Sequence, residues 1–153
     1  MQVTIVKGLF EQIVAMAAES PIEICGLLFG DTDRIDAVEP CRNVAADPSR
    51  TFEIDPGALI AAHRALRVGG PRIVGSYHSH PVSGMAWPSP RDAAAAEPDG
   101  SLWLIATHDD ARLFRAVAGG RIHALFDPVD VMTCDAACSN DAASPEGAHE
   151  SGE

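Results

Sequence analysis

Basic residues are scarce in this chain of 153 residues: 11 Lys and Arg stand against 22 Asp and Glu, a formal net charge of −11 with His neutral. So acidic a surface repels phosphate backbones and anionic headgroups, which excludes non-specific nucleic-acid binding and docking on a charged membrane. Long hydrophobic runs are missing too. No 18-residue apolar stretch is present, and the start, Met1-Gln2-Val3-Thr4-Ile5-Val6-Lys7, lacks the basic segment and apolar run of a secretory signal. The expectation is a soluble, cytoplasmic protein with no membrane partner. The four cysteines (Cys25, Cys41, Cys134, Cys138) form neither a dense disulfide framework nor a paired CxxC set. Cys134 and Cys138 alone could bind a metal, but their CxxxC spacing sits in an acidic segment and is a weak zinc signal. Internal repeats are absent.

What remains is ordinary globular composition: 46% hydrophobic and 22% charged residues, enough for one domain with its own core. Acidity concentrates at one end. Residues 127–153 hold seven acids and no Lys or Arg, and from about Asp135 onward no bulky apolar residue occurs. Such a segment cannot bury enough surface to offset its ordering entropy. The expected organisation is a folded domain over 1–133 and an acidic, disordered tail over 134–153.

Periodicity and turn residues predict a β-α-β-β-β-α-β-α-β-β-β order. Gln2–Val6 alternates as a strand, and Leu9, Ile13, Met16 and Ala17 share one helical face before Ser20-Pro21. Ile22–Phe29 and Arg34–Val38 read as a hairpin around Gly30-Asp31, and Thr51–Ile54 as a short strand. Asp55-Pro56 opens a helix to about Arg67, with Asp55 as N-cap. Arg72–His80 reads as a strand, Pro81–Pro88 as a loop, and Ser89-Pro90 as the start of an Ala-rich helix to about Glu97. Leu102–Ala106, Leu113–Val117 and Ile122–Phe126 complete the strands.

The residues that carry chemistry begin at Ser76-Tyr77-His78-Ser79-His80-Pro81. Two imidazoles at i and i+2 of a strand face the same side, about 6.5 Å apart at Cα, close enough to share one ion. A pair of hydrogen-bonded core histidines fits the same spacing. Asp92, at the first turn of the Ala-rich helix, can face back toward them as a third ligand, or simply favour the positive helix end. Two histidines and one aspartate leave a zinc vertex for water, the arrangement of catalytic sites. Glu23 is the one acid in an otherwise apolar run, Ile22–Phe29. It is either a solvent-exposed strand start or a proton shuttle stabilised beside a cation.

Glu23-Ile24-Cys25-Gly26-Leu27-Leu28-Phe29-Gly30, His78-Ser79-His80-Pro81 and Pro88-Ser89-Pro90-Arg91-Asp92 together resemble the JAMM (Mov34/MPN/PAD-1) metallopeptidases, especially the compact bacterial members. Pro40-Cys41-Arg42-Asn43-Val44-Ala45 and Phe52-Glu53-Ile54-Asp55-Pro56 resemble the connecting region of those forms, so the likeness covers about residues 1–126. It implies an α/β fold, a curved mixed β-sheet flanked by helices, similar to the cytidine-deaminase architecture. It implies one zinc ion per chain held by His78, His80 and Asp92, with Glu23 as general acid/base and Ser89 as oxyanion donor. The implied substrate is an amide bond after the C-terminal glycine of a ubiquitin-like protein of the sulfur-carrier type.

One departure from the pattern concerns spacing. Ser89 and Asp92 follow His80 by nine and twelve residues, one more than is usual in the family, and the extra residue falls within Val82–Trp87. A surface loop absorbs an insertion cheaply, though a displaced catalytic serine loses rate steeply. Trp87 in that loop is either a substrate contact or packing. His63, His108, His123 and His149 lie outside the pattern, Cys25 has no sequence-evident base, and the HxE and PCxxC of zinc deaminases are absent. Two other functions stay open beside the peptidase: a non-catalytic MPN-type binding module, and a zinc hydrolase of another amide such as a small peptide. Oligomeric state is not legible.

Overall fold

The computed structural model describes residues 1–135. Its element order is β1 (Gln2–Val6), α1 (Leu9–Ala18), β2 (Cys25–Asp31), β3 (Arg34–Cys41), α2 (Pro56–Arg67), β4 (Ile73–Ser79), α3 (Pro90–Ala95), β5 (Leu102–Ala106), β6 (Ala111–Gly120) and β7 (Ala124–Cys134). The mixed sheet closes on itself in the order β1-β3-β2-β4-β5-β6-β7, with β7 returning to β1. The expected curved sheet with flanking helices is therefore present, curved as far as a barrel.

Hairpin β2–β3 and the β5-β6-β7 meander are antiparallel, whereas β4 and β5 are parallel. A parallel pair needs a crossover, and the chain from His80 through α3 supplies it. This connection brings α3 to the end of β4 that carries the histidines. Strand β5 is buried along its whole length. Its alternate residues serve two cores: Leu102, Leu104 and Ala106 pack with α1, and Trp103 and Ile105 pack with Phe114 and Phe126. A strand covered on both faces reads as a continuous apolar run, as LWLIA does.

Local chemistry explains the helix starts. The Asp55 carboxylate accepts from Gly57 N at 3.0 Å, with Pro56 at the first helical position. Ser89 and Asp92 form a reciprocal capping box on α3: Ser89 Oγ accepts from Asp92 N at 3.0 Å, and Asp92 Oδ2 accepts from Ser89 N at 2.9 Å. Gly26 is required by close approach, since a methyl group there would meet the Tyr77 ring and the Glu39 carbonyl.

Three expectations need correction. Thr51–Ile54 is no strand; only Ile54 pairs, through an isolated bridge to Asn43. The last strand does not span Ile122–Phe126 but begins at Ala124 and continues to Cys134, held by its parallel partner β1. His123 is consequently a turn residue with a left-handed backbone, φ 52°, followed by Ala124 at 60°. Cys134 belongs to β7, and its carbonyl accepts from Lys7 N at 2.6 Å. Apart from Cys134 and Asp135, the expected tail lies outside the described residues, as do Cys138 and His149.

Candidate metal centre

Strand β4 delivers His78 near its end, and the ladder continues one residue further, where His80 N donates to Ala106 O at 2.9 Å. Both imidazoles therefore leave the same side of one extended segment. Helix α3 brings Asp92 to meet them because the capping box locks its carboxylate against the Ser89 backbone. The three side chains converge on one point: His78 Nε2 lies 3.1 Å from His80 Nε2 and 3.1 Å from Asp92 Oδ1, and His80 Nε2 lies 3.2 Å from the other carboxylate oxygen, Asp92 Oδ2. Tetrahedral zinc with bonds of about 2.0–2.1 Å sets its ligand atoms about 3.3 Å apart. All three side chains are buried.

The donor set fits a cation for a second reason. His80 Nδ1 lies 2.8 Å from the Met85 carbonyl, which can only accept, so Nδ1 carries a proton and Nε2 faces the shared point. Three acceptor-rich atoms this close need positive charge between them. Titration follows that logic in the metal-free protein. Burial alone would lower His80, but its bonds to Asp92 and Met85 raise it overall. Burial depresses His78 more than Asp92 restores it. Asp92 is held far below the usual carboxylate range, its hydrogen bonds to both imidazoles outweighing its burial. A proton on His80 thus occupies the role a metal ion would take.

Glu23 is not at a solvent-exposed strand start. It precedes β2 and is only 5% exposed, on the wall of a cleft of about 530 Å³ that it shares with His80, Ser89 and Asp92. Burial pushes its carboxyl up to about 7, with Asp92 adding to the effect and His80 and Arg91 opposing it. Two residues that the motifs do not single out hold Glu23 there. Ser79 Oγ accepts from Ile24 N at 2.9 Å, and Asn43 Nδ2 donates to Glu23 O at 2.9 Å. The only sequence signal for Ser79 is its place between the two histidines; Asn43 has none beyond its place in the connecting region.

Ser89 lines the same cleft, and its capping bond uses the hydroxyl oxygen as acceptor, leaving the hydroxyl proton available. The extra residue in Val82–Trp87 does not disturb this, because the capping box fixes Ser89 to Asp92 rather than to the loop. Trp87 is elsewhere. It is 41% exposed, packs edge-on against Phe114 at 5.5 Å, and does not line the cleft. Among the other histidines, His63 and His108 are exposed, and His123 Nε2 pairs with the Pro88 carbonyl at 2.9 Å. Cys25 is buried, and its thiol is pushed up to about 12 mainly by burial, which makes it inert as a nucleophile. No helix among the described residues is long and apolar enough to cross a membrane.

Comparison with known proteins agrees with this geometry. The family model for prokaryotic homologs of the JAB domain, Prok-JAB, matches residues 6–118. The chain is 39% identical over 95 residues to a desampylase of Haloferax volcanii, covering 61% of this chain and 68% of that protein. It is 40% identical over 91 residues to a probable TtuB-protein conjugate cleaving protease of Thermus thermophilus, covering 59% of this chain and 60% of that relative's length. A JAB1/MPN domain protein from Archaeoglobus fulgidus shares the fold at a TM-score of 0.52 and 18% identity, over 87% of this chain and 97% of that one. The family match spans every residue of the cleft from Glu23 to Asp92, and the chain belongs to the prokaryotic JAB-domain family, a compact JAMM-type protein.

Proposed function

We propose that this protein is a zinc-dependent peptidase or isopeptidase that hydrolyses the amide bond after the C-terminal glycine of a ubiquitin-like protein of the sulfur-carrier type. The observation that carries the proposal is the triangle of His78, His80 and Asp92, set in the wall of a cleft that also holds a proton-accepting acid. The relatives, a desampylase and a probable TtuB-protein conjugate cleaving protease, support the substrate class.

In this reading His78, His80 and Asp92 hold one zinc ion. Zinc so held supplies Lewis acidity, polarising an oxygen and easing its deprotonation near neutral pH. The rest is done by the chain. Glu23, poised near pH 7 by burial, takes the proton from the attacking water and passes it to the leaving amine. The Ser89 hydroxyl donates to the oxygen on which negative charge develops. The Ser89 backbone N–H keeps the Asp92 carboxylate in place.

The test is a panel of sulfur-carrier proteins with C-terminal extensions, run beside short glycine-ended peptides. Zinc-loaded protein is expected to release the extension after the glycine, and Glu23→Gln to retain zinc while losing turnover. Cleavage of peptides alone would move the assignment to another amide substrate. Bound zinc without any cleavage would leave a binding module, and undiminished turnover in Glu23→Gln would remove Glu23 from the chemistry.

A further inference from the structure

Among the described residues, His78 Nδ1 is buried without a hydrogen-bond partner, whereas the same atom of His80 is satisfied by Met85. A metal-ligating imidazole ordinarily has its ring orientation set by a hydrogen bond at its second nitrogen. His78 has an aromatic face instead. The Phe52 ring lies almost parallel to it, centroids 4.3 Å apart and planes 18° from each other. Trp103 closes a second side edge-on at 5.8 Å and 89°. Turning the imidazole about its last side-chain bond would drive its edge into the Phe52 ring, so the stack restricts the rotation that a hydrogen bond would restrict.

Phe52 comes from the irregular segment between β3 and α2, where no ladder holds it. Asn43 does that work from both sides. Its Nδ2 donates to Thr51 O at 3.1 Å, and its Oδ1 accepts from Glu53 N at 3.1 Å, gripping the residues before and after Phe52. The same amide nitrogen reaches Glu23 O. One side chain thereby ties the backbone of the proposed acid to the ring that backs a proposed ligand.

We infer that Phe52, clamped by Asn43, is a positioning residue that aims His78 Nε2 at the point shared with His80 and Asp92, substituting for the hydrogen bond that His78 lacks. The inference rests on the metal-site reading above. A purely space-filling Phe52 would tolerate any apolar residue of similar size; a positioning Phe52 needs a flat face.

Phe52→Leu keeps the bulk and removes the face, and Phe52→Tyr keeps both. Zinc affinity, measured by competition with a chromogenic chelator, is expected to fall about 10–100-fold in Phe52→Leu, the usual cost of losing a partner that orients a ligand. Phe52→Tyr is expected to restore it. In the chelator-treated protein, NMR contacts between the His78 ring and Trp103 should report one ring orientation in the wild type and Phe52→Tyr, and averaging in Phe52→Leu. Wild-type zinc affinity or a single ring orientation in Phe52→Leu overturns the inference. Phe52→Met gives the same readouts if the Leu variant does not fold. If the wild type binds no zinc, the metal-site reading fails by itself, and the metal-free ring orientation still decides the role of Phe52.

Discussion

Glu23→Gln should stabilise the metal-free protein, by an amount that depends on pH. Burial raises the Glu23 carboxyl from its ordinary 4.5 to about 7. The native state therefore binds a proton that the unfolded chain has already released between these values. Stability changes with pH as the difference in protons bound, unfolded minus native, and here that difference is negative. Glu23 thus costs stability progressively as pH rises from about 4.5 to about 7, and the loss is complete above 7. At about 1.4 kcal/mol per pH unit the shift is worth about 3 kcal/mol, and partial contact with cleft solvent brings the expectation to about 2–3 kcal/mol. Glutamine does not titrate, so the variant lacks this slope. The measurement is urea unfolding of both proteins with chelator at pH 5, 6, 7 and 8, taking the difference in stability at each pH so that groups common to both largely cancel. The advantage of Glu23→Gln should grow by about 2–3 kcal/mol from pH 5 to pH 8, several degrees in melting temperature for a domain of this size. Saturating zinc should shrink it, because a nearby dication favours the ionised acid. A difference that stays constant across this range would refute the reasoning and return Glu23 to an ordinary exposed carboxylate.

Asp92→Asn should lose stoichiometric zinc in elemental analysis, because it removes the only anionic member of the triangle; full retention would place the metal elsewhere. Zinc binding should release protons, since an ion replaces the proton that Asp92 and Met85 favour on His80; calorimetry in buffers of different ionisation enthalpy counts them, and a count of zero at about pH 6 would contradict a proton held on His80. Gly26→Ala should destabilise by about 1–3 kcal/mol or more, since its methyl group would overlap the Tyr77 ring and the Glu39 carbonyl; urea unfolding at unchanged midpoint would show that β2 and β4 can separate cheaply. Asp55→Ala should cost about 0.5–2 kcal/mol through loss of the α2 cap, read from the same unfolding curves.

Much of the site was legible in the sequence because its parts are local. The HxH spacing on a strand, and a serine three residues before an aspartate at a helix start, each set a side-chain direction by backbone geometry alone. Asp55-Pro56 marked the α2 start for the same reason. The burial of Glu23 was not legible. It depends on Ser79, which bonds the neighbouring Ile24 N across 55 residues of chain, and on Asn43, 20 residues from Glu23. Thr51–Ile54 has strand-like composition, yet Asn43 takes the backbone groups that a neighbouring strand would need. The extent of β7 was hidden likewise: VDVMTC is weakly patterned, and only its pairing with β1 explains why it stays extended. Trp87 was ambiguous because a loop tryptophan carries no period that says which way it points.

The seam between β1 and β7 has a bearing on how the molecule is made. Gln2 is registered with Asp130, and Val6 with Cys134. Translation yields the first of these partners before every other described strand and the second only after them, while domains on the ribosome tend to fold as units from the N-terminal side. The opening strand must therefore wait, its outer edge unpaired, until the final one emerges to complete the ring. A stop or frameshift within 124–134 would leave that early edge permanently exposed, and aggregation rather than a shortened working protein is the outcome to expect.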